Sequence, residues 1–297
     1  MILFVDLDGT LWEHELLDEA AADALRAARD AGHLVFLCTG RSAGQIPAPV
    51  AAIGFDGMIT NGGGTARIGK EVIAENVMTR EQLHKLLDIF ERDQLPYLLE
   101  SDDGVFGSQA IIDMYDQYIR RLRAAHNAQL VKAGKAPEPE QTKTEAANFH
   151  PLAQANLDHI AKICFFSADP KMYDRVKSEI GSEFYLVPSS MPMPGGSSGE
   201  VAPLGVSKGT AIHAVLKKLG LDRTEAIGIG DSHNDIEMFD ACGTAIAMGN
   251  AVPELLEQAD FVTTAVLQGG VRDALQQLGL IEQKAGGQVV AQGAQSS

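Results

Sequence analysis

The chain has 297 residues, 45% of them hydrophobic, and a formal net charge of −16. This length is enough for one large domain or two moderate ones with a sizeable core. The negative charge argues against nucleic acid as a partner, because binding to a phosphate backbone relies on clustered Lys and Arg. A small anionic ligand stays open, since a few cations and N–H groups focused in one cleft can outweigh a diffuse negative surface.

Neither a membrane segment nor a secretory leader is predicted. No apolar run is long enough to span a bilayer, and the first residues lack the basic region and small-residue cleavage site of a signal peptide. The cysteines Cys38, Cys164 and Cys242 lie far apart in apolar surroundings, which predicts buried free thiols. We therefore expect a cytoplasmic protein, and the sequence leaves a monomer and a homodimer both open.

The first apolar run predicts a buried strand that ends in acidic residues. Residues 2–5 precede the stretch Asp6-Leu7-Asp8-Gly9-Thr10, a pattern typical of a strand that is buried on both faces and stops at a turn. If the extended conformation continues, the Asp6 and Asp8 carboxylates point to the same side. Open α/β sheets bind ligands at the carboxyl ends of strands, although Asp and Gly are also ordinary turn residues.

Strand and helix patterns alternate over the first 78 residues. In order, the predicted elements are a helix over 18–31, a strand at 33–37, an interrupted helix over 42–53, a strand at 58–60 and a hairpin at 66–76. Such alternation predicts a parallel sheet covered by helices. The triplet Gly62-Gly63-Gly64 is either a plain turn, which we favour, or a close approach of the backbone to a ligand. Asn61, just before it, could face the cleft.

The character of the chain changes near residue 79. Helices are predicted over 79–93, 109–131 and 170–180, and strands at 95–100, 162–166 and 183–187. The polar segment 132–150 predicts a loop, and the segment 189–199, rich in Pro, Gly and Ser, predicts a turn or hinge. Helices mixed with antiparallel strands in this way indicate an α+β insert between two halves of a doubly wound core.

The core pattern resumes after residue 199. Residues 200–203 are predicted to re-enter the core, and alternating helices and strands follow from 207 to 278. Residues 284–297 lack a packing pattern and are expected to be a disordered tail.

Short polar motifs end several of these runs in a fixed order along the chain. They are Asp6-Leu7-Asp8-Gly9-Thr10, Thr39-Gly40-Arg41, Lys208 and Gly230-Asp231-Ser232-His233-Asn234-Asp235. Each motif is weak by itself, but the ordered set resembles the haloacid-dehalogenase-like superfamily of aspartyl-nucleophile phosphotransferases. More closely, the chain resembles the Cof-type sugar-phosphatase branch, in which a large α+β cap lies between the second and third motifs.

The resemblance implies an α/β protein with a doubly wound, parallel-sheet (Rossmann-like) core and an inserted α+β cap. The core would comprise residues 1–78 plus 200–283, and the cap, residues 79–199, would determine substrate specificity. The implied activity is Mg²⁺-dependent hydrolysis of small phosphorylated metabolites, sugar phosphates foremost, through an aspartyl-phosphate intermediate. Two alternatives stay open, because fold and motifs do not fix function: a phosphomutase of the phosphomannomutase type, and a non-catalytic regulatory member of the fold.

The resemblance also implies roles for the acidic residues. Asp6 would be the nucleophile, and Asp8 the general acid–base that protonates the leaving alkoxide and later activates water. Asp6, the main-chain carbonyl of Asp8 and Asp231 would bind Mg²⁺, with Asp235 as a further ligand or as a residue that holds metal-bound waters. Capping of a helix N-terminus is the alternative reading of Asp231 and Asp235.

The remaining implied site residues would contact phosphate or substrate. Thr39 and the N–H of Gly40 would bind phosphate oxygens at a strand–helix junction, and Lys208 would supply a positive charge to nucleophile and phosphate. Arg41 could read the leaving group or be a surface cation. The other positions in this set are Leu7, Asn61 and Asn234.

Overall fold

The computed structural model describes residues 1–134, 136–137, 144–189 and 197–282. The predicted tail, most of the predicted hinge at 189–199 and part of the polar segment 132–150 lie outside these residues. Within the described ranges, none of the helices combines the length and apolar character that crossing a lipid bilayer requires.

The described residues form two large sheets and one small two-stranded sheet. In chain order the strands are β1 (Ile2–Val5), β2 (Trp12–Glu13), β3 (Leu16–Leu17), β4 (Leu34–Cys38), β5 (Gly57–Thr60), β6 (Thr65–Ile68), β7 (Glu71–Glu75), β8 (Tyr97–Ser101), β9 (Gly104–Gly107), β10 (His150–Pro151), β11 (Lys162–Phe165), β12 (Phe184–Pro188), β13 (Gly199–Pro203), β14 (Ala226–Gly230), β15 (Thr244–Ala247) and β16 (Phe261–Val262). The helices are α1 (Glu19–Asp30), α2 (Ala48–Ala51), α3 (Arg80–Arg92), α4 (Gln109–Lys132), α5 (Met172–Ile180), α6 (Lys208–Leu219), α7 (Ile236–Ala241), α8 (Pro253–Gln258) and α9 (Gly270–Gln277).

The larger sheet has the strand order β16-β15-β14-β1-β4-β5-β6-β7. The first six strands of this order, from β16 to β5, pair with their neighbours in parallel. The β5–β6 and β6–β7 pairs are antiparallel. Because side chains alternate along a strand, Leu3 and Val5 pack with α1 and α9 on one face, while Ile2 and Phe4 pack with α6 and α7 on the other. The predicted doubly wound α/β core is therefore confirmed, with β1 between β14 and β4.

The second sheet has the order β10-β9-β8-β11-β13-β12 and is mostly antiparallel. Helices α3 and α5 cover one of its faces, and α4 covers part of the other. We refer to this sheet and its helices as the cap. The predicted α+β insert is confirmed as a fold feature; its division from the core into domains stays a prediction.

The expectation that residues 200–203 return the chain to the core is wrong. Strand β13 pairs with β11 and β12, inside the cap sheet. Val201 is buried with Ile163 and Phe165 beneath the cap helices. The apolar pattern of this strand therefore reflects burial in the cap, and the chain reaches the core only after β13.

The helix predicted over 42–53 is reduced to short turns. Residues Ala43–Gln45 form a single 3₁₀ turn, and α2 has four residues. Pro47 and Pro49 lack the N–H groups that a continuous helix would use. The interruption is therefore larger than the sequence suggested.

The glycine triplet after β5 forms the predicted turn into β6. Gly63 has a φ of 108°, and a Cβ on it would lie 2.1 Å from the main-chain oxygen of Ser207. A close approach thus exists as well, but the partner is the backbone just before α6. The turn between β5 and β6 fixes the start of that helix.

Asp102, in the turn between β8 and β9, joins the cap to the core. Its Oδ1 accepts hydrogen bonds from Thr60 Oγ1 (2.8 Å) and Asn61 Nδ2 (3.0 Å). Its Oδ2 accepts one from Arg67 Nη2 (2.5 Å). Three donors on one carboxylate hold the cap turn against the carboxyl end of β5.

Replacing Gly63 by Ala is expected to lower the free energy of unfolding by about 3 kcal/mol or more, because the new methyl group meets backbone and φ is strained. Gly62→Ala is the matched control: its φ is 65° and nothing lies within 4 Å of the added Cβ, so it should cost about 1 kcal/mol. Urea unfolding at equilibrium measures both. Equal losses of stability in Gly63→Ala and Gly62→Ala would contradict the close packing of Gly63 against the backbone of Ser207.

Asp102→Ala is expected to lower the free energy of unfolding by about 2–3 kcal/mol, since it removes a charged acceptor from three donors. The neighbouring Asp103 is exposed, so Asp103→Ala should change stability by less than about 0.5 kcal/mol. The same urea titration compares the pair. Matching values for both variants would rule out a structural role for the Asp102 contacts.

Candidate active site

Asp6 lies directly after β1, in the middle of the core sheet. Its N–H donates to the carbonyl of Ile229 on β14 at 2.9 Å, which keeps the backbone in line with the sheet. The side chain is buried. After Asp6 the chain turns: the carbonyl of Leu7 accepts hydrogen bonds from the N–H groups of Leu11 and Trp12, each at 2.9 Å. Asp8 lies on this turn, and its side chain is 46% exposed.

Lys208 is the first residue of α6, and Ser207 caps that helix. Its ammonium lies 2.6 Å from Asp6 Oδ1 and 2.5 Å from Asp235 Oδ1. The Lys208 side chain is 0% exposed. One buried cation therefore bridges two carboxylates that follow β1 and β14.

Asp235 holds the loop that follows β14. Its Oδ2 accepts hydrogen bonds from the N–H groups of Asp231 and Ser232, both at 3.0 Å. Together with Ser232 this forms a capping box at a 3₁₀ turn. The capping alternative is therefore present in the structure for Asp235, in addition to its ion pair with Lys208.

Asp231 is the first residue after β14, and its carboxylate lies close to that of Asp6. Thr10 Oγ1 donates a hydrogen bond to Asp231 Oδ1 at 3.2 Å. A Cβ on Gly9 would lie 2.1 Å from Asp231 Oδ2, and the φ of Gly9 is 80°. Glycine in the first motif thus leaves the space that Asp231 occupies.

The clustered carboxylates perturb one another. Burial, and then the charge of Asp235, raises the pKa of Asp6 to about 7, although Lys208 opposes this. Burial, followed by the charges of Asp6 and Asp235, raises the pKa of Asp231 to about 9. Burial would lower the pKa of Lys208, but Asp235 and Asp6 outweigh it and raise that pKa well above its usual value. The cluster carries more negative charge than its one lysine neutralises.

The donor set fits a divalent metal ion. Asp6, Asp231 and Asp235 each offer a carboxylate oxygen, and these oxygens all lie within 4.8 Å of one another. Hard oxygen donors of this kind are the ligands that Mg²⁺ prefers. Since Asp235 is bound to Lys208 and two N–H groups, Asp6 and Asp231 are the better placed of the three to reach an ion.

Of the residues predicted to contact phosphate or substrate, Leu7 follows β1, and Thr39, Gly40 and Arg41 follow β4. Thr39 is buried, and its Oγ1 accepts a hydrogen bond from the N–H of Arg41 at 3.1 Å. Gly40 follows it and is partly exposed. Leu7 has its side chain in the hydrophobic core, so any phosphate contact there would use its backbone. The short turn at 43–45 gives little of the helix dipole that the sequence analysis expected at this junction.

Arg41 is not the surface cation that was one of its two predicted roles; the other role, contact with the leaving group, stays a prediction. Its guanidinium forms a two-pronged ion pair with Asp8, with Nε–Oδ2 at 2.8 Å and Nη2–Oδ1 at 2.6 Å. The Arg41 side chain is only 15% exposed. It is therefore a partner of the expected acid–base residue. The sequence placed both residues at strand ends but could not show that they meet.

A narrow cleft separates this cluster from the cap. Asn61, Lys208 and Asn234 line it from the core, and Asn234 Oδ1 accepts a hydrogen bond from Ser232 Oγ at 2.8 Å. The cap side is lined by side chains that no sequence motif marks, including Lys162, Tyr185 and Glu200. Asn61 lies here as predicted, but its Nδ2 binds Asp102.

Thr10 and Asp102 were also missed as site-forming residues. Thr10 belongs to the first motif, and that position was a usable signal. Asp102 follows a predicted strand within the sequence Ser-Asp-Asp-Gly, which is typical of a turn. Nothing in the sequence distinguishes Asp102 from Asp103.

Comparison with known proteins identifies the family of this chain. Residues 3–275 match the model of a family described as haloacid dehalogenase-like hydrolase. The chain is 27% identical to YkrA of Bacillus subtilis over 95% of this chain and 98% of that protein. It is also 27% identical to the 5-amino-6-(5-phospho-D-ribitylamino)uracil phosphatase YwtE of the same species, over 92% of this chain and 96% of that protein.

A solved structure supports the fold. A haloacid dehalogenase-like hydrolase from B. subtilis aligns with a TM-score of 0.76 at 22% identity, covering 93% of this chain and 99% of that one. Because the family match extends over nearly the whole described chain, the protein belongs to the haloacid dehalogenase-like hydrolases, in the Cof-type branch that its motifs predicted.

Proposed function

We propose that this chain, a phosphoric monoester hydrolase of that family, is a Mg²⁺-dependent phosphatase of small phosphorylated metabolites, with sugar phosphates as the first class to test. The observation that carries the proposal is the buried contact of Lys208 with Asp6, next to Asp231. A carboxylate that must attack a phosphate needs such compensation. At ~4 Å and an effective dielectric constant near 20, each pair of like charges costs roughly 4 kcal/mol.

In the first half-reaction, a carboxylate oxygen of Asp6 attacks phosphorus, and the bond from phosphorus to the ester oxygen breaks. Asp8 gives its proton to the departing alkoxide. In the second, Asp8 takes a proton from the water that hydrolyses the aspartyl-phosphate. Because Arg41 binds both oxygens of Asp8, Asp8 must leave Arg41 at least in part before it can carry a proton.

The other residues bind and orient the phosphoryl group. Lys208 supplies a fixed positive charge to Asp6 and to the phosphate oxygens, and Asp235 holds Lys208 in place. Thr39, Gly40 and the backbone of Leu7 face the phosphate from the ends of β4 and β1, and Asn234 offers its amide. Mg²⁺, held by Asp6, Asp231 and the main-chain carbonyl of Asp8, would neutralise negative charge on the phosphoryl group.

The substrate class rests on the relatives. YwtE is named as the phosphatase of a compound with a phosphorylated ribityl chain, and it aligns with this chain along nearly its whole length. A phosphate ester of a polyhydroxylated carbon chain is therefore the substrate type that we propose.

Phosphate release from a panel of sugar phosphates, nucleotides and an aryl phosphate tests the activity. With Mg²⁺ we expect release by the wild type, a fall of about 10³-fold or more in Asp6→Asn because the nucleophile is lost, and of about 10²-fold or more in Asp8→Ala. The exposed Asp103 supplies the control, Asp103→Asn, which should match the wild type. Unchanged release by Asp6→Asn would exclude the proposed chemistry. Release from none of these esters, but phosphate migration in the presence of a bisphosphate activator, would identify a phosphomutase.

Metal binding can be tested without turnover. Mg²⁺ at about 100-fold above its Kd should raise the free energy of unfolding of the wild type by about 2.7 kcal/mol, and Asp231→Asn should lose this gain. In EDTA, Asp231→Asn should be at least as stable as the wild type, because burial, and then the charges of Asp6 and Asp235, disfavour a charged Asp231. Urea unfolding with and without Mg²⁺ measures both effects, with the exposed-site variant Asp30→Asn as the control. Equal stabilisation of the wild type and Asp231→Asn would place the ion elsewhere.

A further inference from the structure

The cap wall of the cleft contains a cluster of buried charges. Glu100, Lys162 and Glu200 lie on the adjacent strands β8, β11 and β13, and all three side chains are buried. Lys162 Nζ lies 2.8 Å from Glu200 Oε2 and 3.3 Å from Glu100 Oε2. Lys162 and Glu200 line the same cleft as Lys208, so the cluster faces the active site.

Stability of the cap does not explain this cluster. Burying charges costs several kcal/mol per ion, and well-packed apolar residues often serve as well or better. Two carboxylates and one ammonium also leave an excess of one negative charge. Burial raises the pKa of Glu100, which shows how poorly the site solvates that charge. Cys164 Sγ donates a hydrogen bond to Glu100, and Ser189 Oγ donates one to Glu200.

Asn61, on the core side of the cleft, independently indicates a ligand with hydrogen-bonding groups. Asn61 is buried and lines the cleft from the core. Its Oδ1 finds no hydrogen-bond donor among the described residues, whereas its Nδ2 is fixed by Asp102. A buried acceptor without a donor is unfavourable, and a ligand that donates a hydrogen bond would remove this cost.

We propose that Lys162 and Glu200 are specificity-determining residues that bind hydroxyl groups of the leaving group. This inference rests on the proposed phosphatase function. A hydroxyl group donates to a carboxylate and accepts from an ammonium, so one hydroxyl can satisfy the Lys162–Glu200 pair, and another can donate to Asn61. The excess negative charge excludes the phosphate from this end of the cleft. The phosphate would therefore lie at Lys208 and the polyol chain would extend toward the cap.

Matched esters test the inference on the wild type. A five-carbon polyol phosphate and pentyl phosphate have the same chain length but differ in their hydroxyl groups, and an aryl phosphate reports activity without a hydroxylated leaving group. We expect kcat/KM for the polyol phosphate to exceed that for pentyl phosphate by about 100-fold or more, because a site built for hydroxyls rejects analogues that lack them. Equal values, with the aryl phosphate hydrolysed, would overturn this inference alone. No release from any of the three would overturn the phosphatase function as well.

Substitutions of Glu200 and Lys162 test whether these side chains cause the preference for the polyol phosphate. In Glu200→Gln, the ratio of kcat/KM for the polyol phosphate to that for the aryl phosphate should fall about tenfold or more, mainly through a higher KM for the polyol phosphate. Lys162→Met should lower the same ratio. Glu81 is an exposed cap glutamate, and Glu81→Gln should leave the ratio unchanged. An unchanged ratio in folded Glu200→Gln would overturn the assignment. If that variant does not fold, the comparison of polyol and pentyl phosphates on the wild type decides.

Discussion

The buried ammonium of Lys208 is the interaction on which the site depends. It joins residues separated by 202 and 27 positions along the chain, since Asp6 ends β1 and Asp235 follows β14. None of these three charges could be buried alone at an acceptable cost. The segment that leads from the cap into α6 must therefore place the first residue of this helix, Lys208, next to the residues that follow β1 and β14. The close packing of Gly63 against Ser207 serves the same placement.

The position of Lys208 also explains a local conflict in the sequence. A cation in the first turn of a helix opposes the helix dipole, and Ser207 with Thr210 provides capping that partly compensates. The two carboxylates supply the larger stabilisation, because they act on the charge at hydrogen-bond distance. A residue that is unfavourable for its own helix is thus favourable for the assembled site.

The core and the position of the motifs at strand ends could be predicted from the sequence, because both depend on local patterns. Apolar strands such as β1 and the motifs that end them carry their own signals, and parallel pairing brings those ends together. Contacts between the cap and the core carry no such signal. Asp102 and Asp103 look equivalent as residues, and the burial of Lys162 between two glutamates depends on strand register. Strand register also decides the position of β13. Its five buried residues would fit either the core sheet or the cap sheet, so the sequence pattern alone predicts the wrong one.

The Arg41–Asp8 pair lies between these cases. Both residues were selected from their motifs, but a single strand-end position does not reveal which direction a long side chain takes. Arg41 could have pointed toward a substrate; in the structure it reaches 33 positions back along the chain to Asp8. Asp8, the residue proposed as the acid–base, is therefore bound to a cation in this conformation.

The small volume of the cleft between the core and the cap affects the apparent affinity for a ligand. It amounts to about 20 Å³, room for little more than one water molecule. Under the proposed function, a phosphorylated metabolite therefore binds only to the fraction of molecules in which this cleft is wider. The apparent dissociation constant is then the intrinsic constant divided by that fraction. Substitutions at the Asp102 contacts between the cap and the core are thus expected to change this fraction without touching the substrate.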